Sequence, residues 1–269
     1  MVYKNIRNIL VLVLITVWLA VFNIDNKLHI IACDVGQGDA ILIQKNTTQI
    51  LIDSGSGNKV LDCLGRYMPF WDRQIELAIS THIDKDHSGG FVDVFNRYKI
   101  VNFLTNDLNN PMYDTLTARV IKKVVGGSGT KVIYPDVGMV IRVGVMYLDI
   151  LHPYEGFSSK NTNDYSVVNL VRYGNFKAIF TGDIELNISE NIFERNKIEP
   201  VDYIKISHHG SKNGTSEKLL QILKPKIAII SVGKNSYGHP NEEVINLLKK
   251  YNIKILRTDL EGDVDYIVD

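Results

Sequence analysis

Cysteine is nearly absent from this 269-residue chain: Cys33 and Cys63 are the whole complement. Two cysteines make neither a disulfide framework nor a thiolate zinc site. Cys33 lies in an apolar strand and reads as a buried, inert thiol, and nothing specific in the sequence supports a bond to Cys63. An excess of charge of either sign is also missing. Thirty basic residues balance thirty acidic ones, which excludes a grip on nucleic acid through bulk positive charge but leaves room for a local basic patch. There is no internal repeat and no low-complexity tract. The loop Asp53-Ser54-Gly55-Ser56-Gly57 lacks the lysine of a phosphate-cradling P-loop. With 45% hydrophobic and 22% charged residues, the composition is that of an ordinary globular protein, and the length suits one large domain or two small ones.

The one long apolar run extends from Ile9 to Phe22, broken by Thr16, preceded by Lys4 and Arg7 and followed by Asn23, Asp25, Asn26 and Lys27. A basic segment before a short apolar one is the pattern of a secretory signal or signal anchor. The run is short for a span of about 20 residues, and no small-x-small cleavage site follows Ala20. The expectation is an uncleaved membrane anchor over residues 1–27, with its basic end cytoplasmic and residues 28–269 outside. Cleavage would make the domain secreted.

From Leu28 the hydrophobic period becomes that of strands. Short apolar runs at Leu28–Cys33, Ala40–Gln44 and Gln49–Ile52 predict the first three. A helix is predicted over Lys59–Met68, a strand over Glu76–Ser80, a helix over Phe91–Tyr98 and a strand over Ile100–Leu104. A polar loop, Thr105–Pro111, precedes a helix over Leu116–Val125 that Gly126-Gly127 should end. Strands then recur at Lys131–Tyr134, Met139–Val143, Met146–Leu151, Val167–Tyr173 and Phe176–Phe180, and a long polar loop spans His152–Asn163. The remainder reads as helix Ile184–Glu194, strands Val201–Ser207 and Ile227–Val232, helix Glu242–Lys250, and strands Lys254–Arg257 and Asp263–Val268.

Chemistry concentrates in Ser80-Thr81-His82-Ile83-Asp84-Lys85-Asp86-His87-Ser88-Gly89-Gly90. Two imidazoles and two carboxylates follow an apolar strand, the donor types that a divalent ion in an open hydrolytic site requires. Residues two apart point the same way in extended backbone, so His82 and Asp84 converge while Asp86 and His87 face a second point. Three further motifs stand out: Asp34-Val35-Gly36-Gln37-Gly38-Asp39-Ala40, Thr181-Gly182-Asp183, and Ser207-His208-His209-Gly210-Ser211. Asp183 by itself suits either a metal bridge or a helix N-cap. Adjacent His208 and His209 should point to opposite sides of an extended strand, leaving one as ligand. Asn235-Ser236-Tyr237-Gly238-His239-Pro240 places an imidazole and a phenol before a helix, an arrangement that suits an anionic group.

His-Ile-Asp-Lys-Asp-His resembles the HxHxDH signature of the metallo-β-lactamase superfamily, with Asp84 in place of the second histidine. Together with DVGQGDA and SHHGS, it resembles the hydrolase domain of ComEC-type competence proteins, over residues 28–269 and with the motifs in order. The resemblance implies an αββα sandwich forming a single domain after the N-terminal segment. It also implies two divalent ions, zinc or manganese. His82 and Asp84 would hold one and Asp86 and His209 the other, with His87 beside them and Asp183 between. Asp53 would orient ligands by hydrogen bonding, and Asp34, Gln37 and Asp39 would edge the cleft. The third histidine ligand of the superfamily has no counterpart in register; His152 falls too early, and the expectation is that Asp164 or Asn163 substitutes or that the first ion is held with one ligand fewer.

The reaction this implies is metal-assisted hydrolysis of a phosphodiester, with Asp86 central and His208 or His239 protonating the leaving oxygen or contacting phosphate. Asp84 in place of a histidine shifts the preference from zinc toward manganese. The leading expectation is a nuclease acting on DNA outside the membrane, with Lys205, Lys212, Lys234 and Arg257 near the motifs. The alternatives are a phosphodiesterase of cell-envelope polymers, such as one removing phosphocholine from teichoic acid, and a non-catalytic binding domain.

Overall fold

A computed structural model describes residues 2–22, 25–110 and 115–268, with side chains from residue 5 onward in the first of these segments but only as far as residue 18. The predicted polar junction at Asn23 and the loop end at Pro111 lie outside the described residues.

Alternation builds the framework. In β1 (Leu28–Ala32), Leu28, Ile30 and Ala32 enter one core layer while Ile31 and the following Cys33 enter another. Strands β2 (Ile41–Lys45), β3 (Thr48–Ile52), β4 (Gln74–Ile79), β5 (Lys99–Leu104) and β6 (Lys131–Ile133) repeat the pattern. Strands β7 (Val140–Val143), β8 (Met146–His152), β9 (Val168–Tyr173), β10 (Phe176–Phe180), β11 (Tyr203–Lys205), β12 (Ile227–Ile230) and β13 (Lys254–Arg257) make the second half, and β14 (Val264–Val268) returns to the first. The result is two seven-stranded sheets, ordered β14-β1-β2-β3-β4-β5-β6 and β13-β12-β11-β10-β9-β8-β7. Leu28, Ile30, Ile50, Ile52 and Leu77 of one sheet share a core with Leu148, Ile150, Phe180, Tyr203 and Ile229 of the other. Burial of such side chains stabilises by roughly 1.5–3 kcal/mol each.

Helices cover both outer faces. Over the first sheet lie α2 (Lys59–Tyr67), α4 (Phe91–Arg97) and α5 (Leu116–Ser128), which insert Leu64, Phe91 and Ile121 against Leu51, Ala78 and Phe103. The short α3 (Lys85–Ser88) precedes α4. Over the second sheet lie α6 (Leu186–Arg195), α7 (Glu217–Leu223) and α8 (Glu242–Lys250), with Phe193, Leu220 and Leu248 packed on Ile179, Ile204 and Ile230. A single-turn α9 (Thr258–Glu261) precedes β14. This is the αββα sandwich. Its parallel strands, β3 to β6 and β10 to β13, end on the same side as the motif residues, where ligands of open α/β sheets bind.

Helix α1 (Val2–Phe22) adds nothing to these cores: its side chains from Asn5 to Trp18 are exposed. No helix among the described residues is long and apolar enough to cross a membrane. Three local expectations are corrected. Gly126 and Gly127 do not end α5, which runs to Ser128 and stops at Gly129 in the left-handed conformation. Ser216 caps a helix that sequence periodicity missed, its side chain accepting from the Leu219 N–H. Cys33 is not a free thiol but is bonded to Cys63, which α2 carries onto the first sheet.

Candidate metal centre

Strained backbone sets the donors. Asp53 follows β3 with φ +59°, an expensive conformation for a residue other than glycine. It aims the carboxylate at the Thr81 N–H (2.8 Å), the Thr81 hydroxyl (2.7 Å) and His87 Nδ1 (2.8 Å). His87 is thereby fixed with Nε2 pointing inward, 3.1 Å from Asp183 Oδ2. On the opposite wall, His209 Nδ1 donates to the Ser231 carbonyl (2.9 Å), leaving Nε2 3.4 Å from both Asp183 Oδ2 and Asp86 Oδ2. The Nε2 atoms of His87 and His209 are buried and have no hydrogen-bond partner. Two orphaned imidazole nitrogens converging on carboxylate oxygens fit a divalent cation.

The buried residues Asp39, His87, Asp183 and His209 bring ligand atoms within 4.8 Å of one another. Asp39 belongs to the rear of this group. Its contacts are to the Nδ1 sides of His209 (3.4 Å) and His87 (3.7 Å), and it is ion-paired to Lys205, which is itself 1% exposed. Lys205 also donates to the Gly182 carbonyl (3.0 Å) and lies 3.5 Å from Asp183 Oδ1. Burial alone would raise the Asp39 carboxyl and depress the ammonium. Lys205, His209 and His87 instead hold Asp39 at about 2, and Asp39 and Asp183 raise Lys205. The same carboxylates outweigh burial at His87 and His209, which hold protons more firmly than an ordinary histidine when no ion is present.

The second predicted ion site is sparser. His82 Nε2 lies 3.8 Å from Asp84 Oδ2, and its ring is 4.2 Å from that of His87. Burial and the neighbouring His87 charge lower His82 to about 3. Asp84 accepts from Thr162 Oγ1 at 3.3 Å, and burial raises its carboxyl. Of the two expected substitutes for the third ligand, Asp164 accepts from Ser159 Oγ (2.6 Å) through its carboxylate, while Asn163 lines the pocket.

A cavity of about 240 Å³ opens above the donors, lined by Gln37, Asp84, Asp86, Asn163, Asp183, His208, His209, Tyr237 and His239. The expectation that the adjacent histidines point apart fails, because Ser207–Gly210 is not extended. His208 (φ +50°) and His209 (φ +53°) are both left-handed, and both reach the cavity. His208 Nε2 stands 3.9 Å from Asp183 Oδ2, and its ring is 5.5 Å from that of His239. Asp183 is no helix cap either, since α6 begins at Leu186 behind Glu185. Asp34 lies away from this cavity. Its carboxylate accepts from the Gly36 N–H (3.0 Å), and it shares a surface hollow with Lys59, Arg66 and Asp263. Gly38 explains why the DVGQGDA loop needs glycine: at φ +134°, a Cβ there would sit 2.1 Å from the Asp86 carbonyl oxygen. Of the four basic residues near the motifs in sequence, Lys205 is buried and Arg257 is paired with Asp259.

In the sequence, Lys205 is merely near the motifs and Asp39 reads as a cleft edge without a partner. The available signal was a lysine on the inward face of a strand, two residues beyond Tyr203 and otherwise among apolar neighbours.

Residues 33–144 match the metallo-beta-lactamase superfamily. The chain is 28% identical over 258 residues to ComE operon protein 3 of Bacillus subtilis, covering 87% of this chain and 32% of that protein. It is 31% identical over 238 residues to Recombination protein 2 of Haemophilus influenzae, covering 86% and 28% respectively. The chain thus spans about a third of the length of these curated relatives. Among solved structures, the metallo-beta-lactamase fold protein YhfI from Bacillus subtilis superimposes with a TM-score of 0.60 at 11% identity, covering 88% of this chain and 99% of that one.

Proposed function

Because this chain carries a metallo-β-lactamase superfamily domain and is similar to ComEC-type competence proteins over most of its length, we propose that it is a metal-dependent phosphodiesterase that cleaves DNA outside the cytoplasmic membrane. The observation that carries this reading is the convergence of two orphaned imidazole nitrogens on Asp183 and Asp86 at the floor of a polar cavity. Asp86, His87, Asp183 and His209 would hold one divalent ion, and His82 and Asp84, with Asp183, a second. Such ions supply Lewis acidity and acidify water.

The chain's own groups do the rest. Asp53 and the Ser231 carbonyl fix the tautomers of His87 and His209, so that Nε2 faces the substrate side. Lys205 offsets the buried charge of Asp39 and part of that of Asp183. His208 and His239 stand at the mouth, where one donates to a phosphate oxygen and the other protonates the departing alkoxide. Burial, with the neighbouring imidazoles of His208 and His209, lowers the pKa of His239. Location outside the cytoplasm is supported by the Cys33–Cys63 bond, since disulfides persist in oxidising compartments. The exposed apolar side chains of α1 support attachment to a membrane.

The test is turnover by metal-stripped protein reloaded with manganese or zinc, on single-stranded DNA and on bis-p-nitrophenyl phosphate. Cleavage of both that is lost in Asp86→Ala supports the nuclease, with manganese the better metal. Cleavage of the small ester alone refutes DNA as substrate, and no turnover with any metal refutes the enzyme.

A further inference from the structure

A second cavity, of about 350 Å³, lies outside the metal centre between α6 and the loop after β8, lined by His152, Tyr154, Phe157, Ile188, Ile192 and Arg195. Resting on the phosphodiester reading of the neighbouring site, we infer that it is a nucleobase subsite, which stacks a base of the strand whose phosphate lies over Asp183.

The walls have the chemistry of a base. Tyr154, Phe157 and His152 form an edge-to-face cluster with ring centroids 4.5–6.4 Å apart. Tyr154 is 42% exposed, although its ring is large and flanked by apolar partners. Arg195 places its guanidinium 5.2 Å from the Tyr154 centroid, and among the described residues no carboxylate pairs with it. Aromatic faces beside an unpaired guanidinium suit a flat, electron-rich heterocycle attached to an anionic backbone. The same Arg195 charge repels a quaternary ammonium, so a choline headgroup does not fit.

The position suits the same ligand. One segment, Phe157 to Tyr165, contributes to both cavities, with Phe157 lining the second and Asn163 the first. Phe157 packs on Tyr165 at 5.1 Å, Thr162 reaches Asp84, and Asn163 lines the metal-centre cavity. From the other side, α6 starts three residues after Asp183 and carries Ile188, Ile192 and Arg195 into the second cavity.

The test uses the full chain in detergent, metal-free so that nothing is cut, titrated with a labelled single-stranded oligonucleotide and with an abasic strand of equal length. The expected result is that the base-bearing strand binds more tightly, by about tenfold for one stacked base. Tyr154→Ala should abolish that preference and Tyr154→Phe should keep it. Both variants should melt with the wild type, because the ring is at the surface. Equal binding of the two strands by the wild type, or a preference that survives Tyr154→Ala, overturns the subsite. The two readings fail separately. A base preference lost in Tyr154→Ala in a protein that cleaves no DNA with any metal keeps the subsite and removes the nuclease. DNA cleavage without a base preference does the reverse.

Discussion

Lys205→Met should be among the most damaging single changes outside the apolar cores. The ammonium is 1% exposed and its partner Asp39 is 4% exposed, so removing the lysine leaves a carboxylate buried beside a second one at Asp183. Breaking a buried pair from one side costs about 3–5 kcal/mol, mostly because the remaining charge is uncompensated. For a domain of this size about 1 kcal/mol moves the melting temperature by 2–4 °C. The variant should therefore melt roughly 6–20 °C below wild type by circular dichroism. The comparison must be made in chelator, because a bound ion would replace the lost positive charge. Adding Asp39→Asn should recover at least about 1 kcal/mol of the loss, a coupling of the size measured for contacting residues. A metal-free Lys205→Met protein that melts within about 2 °C of wild type, or a double variant no more stable than the single one, would refute this view of the buried pair.

Three further outcomes follow from the same geometry. Asp53→Asn removes the carboxylate that orients His87, and metal affinity measured against a competing chromophoric chelator should fall about 10–100-fold. Burial holds His152 at about 4, below its ordinary 6.5, so it is neutral in the folded protein. Its contribution is intact above pH 6.5, shrinks as pH falls and is lost by about 4. At pH 5 it amounts to a loss of about 2 kcal/mol, which a pH series of urea melts should show for wild type and not for His152→Gln. Reduction of the Cys33–Cys63 bond, which links residues 30 apart, should cost about 3–4 kcal/mol by loop-closure entropy, read as a lower urea midpoint.

Most elements were legible because period and burial agree. Leu28, Ile30 and Ala32 against Ile31 and Cys33 spell a two-sided strand, and α8 matches its expected bounds, Glu242 to Lys250. The αββα layering came from the family resemblance, since period alone gives only α and β. What escaped was set by tertiary contact. Glycines at 126 and 127 sit in an exposed turn of α5, where packing elsewhere on the helix outweighs a cost of about 1 kcal/mol each. The left-handed turn at His208 and His209 is unfavourable for histidine and follows from no local rule, so their shared orientation could not be foreseen. Lys205 and Asp39 are 166 positions apart in the sequence, and only the closing of the two sheets reveals them as a pair. The motif residues themselves were legible because ligand-type side chains at strand ends have few other uses. Asp34 is the exception, a carboxylate engaged in shaping its own turn.

The most direct test of the metal centre is anomalous diffraction from crystals soaked in manganese. The expected result is a peak within coordination distance of His87 Nε2, His209 Nε2, Asp183 and Asp86, with any second peak beside His82 and Asp84. A peak on the opposite side of the imidazoles, at Asp39 and Lys205, or no peak at all in well-ordered crystals, would contradict it.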